Sequence, residues 1–140
     1  MADNGILYKG FDMNIVKAMK SLCLNIDVII PNLTEACFLT DLFMNAKKNI
    51  MKNILWRKIK KFWHKNNFFY RNWIWWKYNW VVVGEKREIK YYKHHKISKM
   101  FHGTGDIYSS IFVGVYLSGK NAFDAAKAAA DFSWNVLIIL

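Results

Sequence analysis

Six consecutive residues, Phe101-His102-Gly103-Thr104-Gly105-Asp106, constrain this chain more than any other stretch. Two glycines flank a threonine, an acid follows, and a helical pattern of apolar residues begins at once. Gly103 and Gly105 permit φ > 0 and a close approach of backbone to ligand. The helix behind them leaves its first N–H groups unpaired, with the positive end of its dipole turned to the bend. Such a turn is a cradle for an anion, phosphate above all. Asp106 is the anomaly in it, because a carboxylate beside a bound anion is repelled. A base that takes a proton from an attacking hydroxyl would have to stand there. The plain alternative is that Asp106 only caps the helix.

The remaining order is of the α/β kind. Asp3-Asn4-Gly5 is a turn signal, with Tyr8 in the short polar loop that follows. Asp12 is placed to cap a helix from Met13 to about Asn25, with Ile15, Val16, Met19, Leu22 and Cys23 at helical spacing. Asp27 to Ile30 reads as a short buried strand ended by Pro31, the only proline. Asn32, Leu33, Thr34 and Glu35 then stand at the strand's carboxyl end, where open α/β sheets bind ligands. Either Asn32 or Thr34 caps the next helix, which carries Ala36, Cys37, Phe38, Leu39, Leu42 and Phe43. Val81 to Gly84 is a strand, and Glu88 to Ile97 a second, partly exposed one, joined by a turn over Gly84 to Arg87. After the glycine bend a helix from Asp106 to Ser118 buries Ile107, Ile111 and Val115 beside Tyr108 and Phe112. Ser110, Gly114 and Ser118 form a small-residue stripe open to a close neighbour. Gly119 stops that helix. Asn121, with Asp124 three residues on, opens a last helix whose alanine face suits tight packing.

Charge singles out the middle of the chain. The formal net charge is +11, yet no acid stands between Asp41 and Glu85, where ten of the twenty-one Lys and Arg lie. Six of the seven tryptophans fall in the same region, at 56, 63, 73, 75, 76 and 80. Residues 46–80 hold neither Gly nor Pro, and Trp73-Ile74-Trp75-Trp76 fits neither helical nor strand period. Rings interleaved with Lys and Arg are the material of single-strand nucleic-acid binding, so a nucleic-acid-binding protein using residues 47–80 is the competing reading. No apolar run reaches the length of a membrane span, and no secretory leader pattern opens the chain. Cys23 and Cys37 lack metal-like spacing and read as reduced core thiols, with the cytoplasm as the expected compartment. His94, His95 and His102 fit no metal template.

Three separated stretches agree on one family. Met1-Ala2-Asp3-Asn4-Gly5 with Tyr8, Asp27 to Ala36, and Phe101 to Asp106 with its helix, in this order, resemble the C-terminal half of a pyridoxal or pyridoxamine kinase of the ribokinase-like superfamily. The resemblance covers residues 1–45 and 81–135. It implies an α/β fold, the C-terminal half of a mainly parallel sheet flanked by helices, in a single truncated domain over 1–140. It implies ATP-dependent phosphorylation of the 5′-hydroxyl of pyridoxal, pyridoxine or pyridoxamine, with ATP and Mg2+ as cofactors. Carried over by position, Asp106 would be the base, and the N–H groups of Gly103, Thr104 and Gly105 the anion hole. Asn32 and Glu35 would hold ATP phosphates and magnesium, Glu35 through water, with Asp3, Tyr8 and Lys96 beside the nucleotide. Phosphoryl transfer asks for charge neutralisation and alignment more than covalent help.

The departures carry expectations too. The half of such kinases that contacts the vitamin has no counterpart in these residues. The chain alone is therefore expected to be incomplete and inactive, with a complementing N-terminal half or a homodimer as partner. Relatives of this kind also have a helix and a strand where residues 46–80 stand here, and the block is expected to be an atypical segment read in a displaced frame.

Overall fold

An Asn-Gly pair bends the start of the chain back on itself. Ala2–Asp3 (β1) and Ile6–Leu7 (β2) pair antiparallel, Ala2 opposite Leu7 and Asp3 opposite Ile6. Asn4 and Gly5 take φ of 49° and 86°, the two left-handed residues that a two-residue hairpin of matching twist demands. The computed structural model describes residues 1–42, 67–75, 78–85, 88–95 and 103–137. They fall into two compact units, Met1–Tyr70 and Arg71–Leu140.

In the first unit Asp12 caps helix α1, Met13–Cys23, as its position requires. Its Oδ1 accepts from the backbone N–H of Asn14 at 2.9 Å and of Ile15 at 3.1 Å. The bond from Ile15, with help from Asn14, holds the Asp12 carboxyl below its usual range. Of the expected apolar face, Val16 and Cys23 are buried, while Leu22 is exposed. Val28–Ile29 (β3) then leads through Pro31 into α2, Leu33–Thr40. Asn32 caps that helix, and Thr34 does other work described below. Asp41 ends it in a left-handed conformation and receives an ion pair from Lys20 of α1. Cys23 and Cys37 are both free and buried, and burial pushes both thiols up.

The basic block contributes backbone order of its own. Asn67–Trp75 (β4) is a strand, and its first residues lie parallel to β3, Val28 opposite Asn67 and Ile29 opposite Phe68. Residues 43–66 lie outside the described residues, and with them most of the 46–80 block.

In the second unit β4 neighbours Tyr78–Glu85 (β5), which neighbours Glu88–His95 (β6). The β5–β6 ladder is antiparallel and runs to Gly84 opposite Ile89 and Glu85 opposite Glu88. Gly84 therefore belongs to the strand and not to the turn, which leaves only two residues for the loop. So short a connection forces an antiparallel neighbour. Where the sequence suggests a mainly parallel sheet, the described registers are one parallel pair, β3–β4, and two antiparallel pairs, β1–β2 and β5–β6. Val81, Val82 and Val83 of β5 are buried. Two helices complete the unit, Thr104–Leu117 (α3) and Ala122–Leu137 (α4).

The core of this unit is small residues against large ones. Ala122, Ala125, Ala126, Ala129 and Ala130 are all buried, as are Tyr108 and Phe112 of α3. Tyr108 donates its hydroxyl to the Ala126 carbonyl at 3.2 Å, which satisfies a polar tip in an apolar place. Burying a ring such as Phe112 is worth roughly 1.5–3 kcal/mol against leaving it in water. Ile107, Ile111 and Val115 are only half-buried, because Tyr108 and Phe112 take the inner face. Asn121 opens α4, accepting from the Asp124 N–H at 2.9 Å and donating to its carboxylate at 2.7 Å.

Candidate functional site

The glycine bend makes the first group of candidate residues. Gly103 is left-handed, with φ 81° and ψ −2°, and stands as the cap of α3 with no side chain bonded to the helix start. The Asp106 and Ile107 N–H groups both turn back to the Gly103 carbonyl at 3.0 Å. Thr104 is already helical, so the helix begins two residues ahead of the expected start. Gly105 accordingly does not share the positive φ of Gly103; in the first helical turn its missing side chain clears the approach instead. Among the described residues the N–H groups of Gly103 and Gly105 have no hydrogen-bond partner.

Asp106 is not the N-cap of α3, which is Gly103, but the acid of its first turn. It is the third residue of α3 and is exposed. What remains is a carboxylate at the positive end of a fourteen-residue helix, one turn from an open glycine backbone. That end favours negative charge, and the exposed amides offer directed donors. Chemically the bend can hold an anion and keep a proton acceptor next to it.

The second group surrounds the N-terminus of α2, beyond the carboxyl end of β3. Asn32 and Glu35 form a capping box, with the Glu35 N–H donating to Asn32 Oδ1 at 2.9 Å and the Asn32 N–H to Glu35 Oε2 at 3.0 Å. Three further bonds tie the β1–β2 hairpin to this turn. Asn32 Nδ2 donates to the Ala2 carbonyl at 2.7 Å, the Gly5 N–H to Thr34 Oγ1 at 3.0 Å, and the Met1 ammonium to Glu35 Oε1 at 2.9 Å. Asp3, Asn32 and Glu35 are so gathered about one helix start. Asp3 turns its Oδ1 to the Asn4 N–H at 2.8 Å, serving its own turn. Tyr8 is placed by its N–H on the Met1 carbonyl at 3.1 Å, with its ring about half exposed. Lys96 lies outside the described residues, as do Phe101 and His102.

The bend and the α2 start belong to different units. Thr34 was missed as an anchor by sequence reasoning, which saw in it only an alternative cap. Its signal is the Asn-Gly hairpin, whose Gly5 N–H needs an acceptor.

Glu35 is the one carboxylate here suited to a cation. Its Oε1 accepts from the Met1 ammonium and Oε2 is fixed by the capping box, so the carboxylate is held in one orientation. Magnesium is commonly held by one or two carboxylates with water completing its shell, and the donor chemistry at Glu35 fits that manner of binding. Among the described residues no cluster of three His, Cys, Asp or Glu stands together.

A sequence profile of the phosphomethylpyrimidine kinase family matches residues 9–138, running through the basic block as well as its flanks. No curated protein matches the chain. Among solved structures, a Bacteroides thetaiotaomicron protein assigned to the phosphomethylpyrimidine kinases is 26% identical, with a TM-score of 0.87 over 96% of this chain and 48% of its own. Another crystal form of that protein contains pyridoxal. Pyridoxal kinase from Entamoeba histolytica is 22% identical, with a TM-score of 0.81 over 100% of this chain and 50% of its own. Pyridoxal kinase from Bacillus subtilis, solved as an ADP complex, is 20% identical, with a TM-score of 0.74 over 94% of this chain and 49% of its own. The chain spans about half the length of the solved relatives it matches.

Proposed function

The chain belongs to the phosphomethylpyrimidine kinase family, and from that membership we propose that it carries the phosphoryl-transfer side of an ATP-dependent kinase. The acceptor is the 5′-hydroxyl of pyridoxal, pyridoxine or pyridoxamine, or the hydroxymethyl group of a related pyrimidine. The observation that carries this reading is Asp106, an exposed carboxylate in the first turn of α3, close behind a left-handed glycine. Pyridoxal in the Bacteroides relative and ADP in the Bacillus one support the same pairing of ligands.

In this reading the Gly103 and Gly105 amides, with that of Thr104, hold the transferred phosphoryl group as charge spreads over its oxygens. Asp106 takes the proton from the attacking hydroxyl. Asn32 and Glu35 would hold ATP phosphates, with Asp3, Tyr8 and Lys96 beside the nucleotide. Glu35 would hold magnesium through water, and the metal when bound neutralises phosphate charge. The capping box keeps the Glu35 carboxylate from swinging away, and the hairpin bonds keep Asn32 in place.

ADP release from Mg-ATP in the presence of each vitamer, by the chain supplied with a complementing N-terminal half, tests the assignment. Asp106→Asn should lower it by about 10²–10⁴-fold, the usual contribution of a positioned base. Turnover that survives the substitution unchanged removes Asp106 from its role.

A further inference from the structure

Asp106 and Tyr108 stand on opposite sides of α3. Two residues apart, they differ by about 200° of helical rotation, and Tyr108 is buried while Asp106 is exposed. The direction in which the Asp106 carboxylate points therefore depends on how α3 is rolled about its own axis. A side-chain group about 5–6 Å from that axis is carried about 1 Å by a roll of about 10°. Packing gives the roll little hold. The buried face of α4 is made of Ala122, Ala125, Ala126, Ala129 and Ala130, and methyl groups make shallow ridges for a neighbouring helix to lock into. Ile107, Ile111 and Val115 flank the inner face of α3, half-buried, so a small roll exchanges one apolar stripe for another.

A directional contact meets that need. The Tyr108 hydroxyl donates to the Ala126 carbonyl at 3.2 Å. The acceptor is backbone inside α4 and cannot swing, and a carbonyl oxygen has a second lone pair for a donor from outside its own helix. Four residues on along the same face, Phe112 is fully buried with a ring that carries no hydroxyl. A bare ring is thus enough to fill this contact, and the polar tip at Tyr108 serves something other than packing. It lies at the end of α3 where the Asp106 and Ile107 N–H groups close on the Gly103 carbonyl at 3.0 Å.

We propose that Tyr108 is a positioning residue for Asp106: its bond to Ala126 fixes the roll of the first turn of α3, and with it the place of the carboxylate beside the glycine bend. This role rests on the phosphoryl-transfer reading of the bend, where a misplacement of about 1 Å costs up to about 10²-fold in rate.

Tyr108→Phe removes the hydroxyl and keeps the ring, so far-UV circular dichroism of the chain should match the parent. Amide exchange followed by NMR should show the Asp106 and Ile107 N–H groups about tenfold faster in the variant, with the Ser118 N–H at the far end of α3 unchanged, the mark of a local opening. Phe112→Leu, which trims a ring on the same face without touching the bond, should shift the amides of α3 together. Isothermal titration with Mg-ATP gives the second readout. The tighter binding expected of Asp106→Asn, about fivefold in the parent, should fall below about twofold in the Tyr108→Phe background, because a carboxylate free to wander no longer stands at the phosphate. First-turn amides that keep their rates, or that move with the whole helix, overturn the proposal. So does a first-turn loosening that Phe112→Leu reproduces, or an Asp106→Asn gain of equal size in both backgrounds. An Asp106→Asn that changes nothing in either background removes the phosphate reading instead, and the exchange rates still decide whether Tyr108 holds the turn.

Discussion

Replacing Gly103 and Gly114 by alanine should move stability in opposite directions. Among the described residues nothing stands within 4 Å of a Cβ at either glycine, so no clash enters and the backbone decides. Gly103 has φ 81°, a left-handed conformation that costs an L-residue about 1–2 kcal/mol. Gly114 lies inside α3, where alanine is favoured over glycine by about 0.8–1.0 kcal/mol. The two variants should therefore differ by about 2–3 kcal/mol. Urea unfolding followed by far-UV circular dichroism reads this as a lowered midpoint for Gly103→Ala and a raised one for Gly114→Ala, with the slope unchanged. In thermal melts each kcal/mol is about 3–5 °C for a chain of this length. Gly103→Asn should fall between alanine and glycine, as asparagine tolerates the left-handed region. Midpoints that shift in the same direction, or no loss for Gly103→Ala, would refute the left-handed bend on which the anion cradle depends.

Other perturbations test the packing. Tyr92 donates to Asp131 at 2.5 Å, and burial first, then that bond and the charge of Asp131, push its phenol up to about 12. An unfolded tyrosine titrates near 10, so this stabilisation is whole below pH 10 and is lost as the pH rises through 12. Because Tyr92 is only half-buried, the loss is about 1–2 kcal/mol after solvent screening, and urea midpoints of Tyr92→Phe should be flatter between pH 9 and 12. Asn32→Ala removes the cap of α2 and should cost about 1 kcal/mol, while Asn32→Asp retains the cap oxygen but loses the donor to Ala2 and adds a negative charge beside Glu35. Ala129→Leu, at a fully buried position, should overpack α4 and destabilise by about 1–3 kcal/mol.

Local rules in the sequence carried the helix starts. Asp12, Asn32 and Asn121 each accept from the N–H groups their spacing assigns them, because a cap is settled within four residues. The alanine face of α4 was legible for the same reason. Asp106 resisted local reading, since an acid near a helix start fits a cap as well as a base. The backbone makes Gly103 the cap and puts Asp106 in the first helical turn, where an acid also suits the helix dipole. Burial on α3 was legible in period but not in side, because which apolar stripe turns inward depends on α4, a separate element. The small stripe at Ser110, Gly114 and Ser118 was likewise visible as a close-contact face, yet among the described residues nothing stands within 4 Å of a Cβ at Gly114. Thr34 and the Tyr92–Asp131 bond link residues 29 and 39 positions apart, beyond any periodicity. The β5–β6 hairpin was found in the right place, with its turn drawn too long because Gly84 suggests a bend.

The most direct measurement is the affinity of Mg-ATP for the chain and for Asp106→Asn, by isothermal titration. If the bend holds the terminal phosphate with Asp106 beside it, removing that negative charge relieves a repulsion of about 1 kcal/mol for unit charges near 4 Å in water. The account predicts binding tighter by about fivefold in the variant, even as phosphoryl transfer is lost. Affinity unchanged or weakened by the substitution would contradict it, since the carboxylate would then stand apart from the bound phosphates.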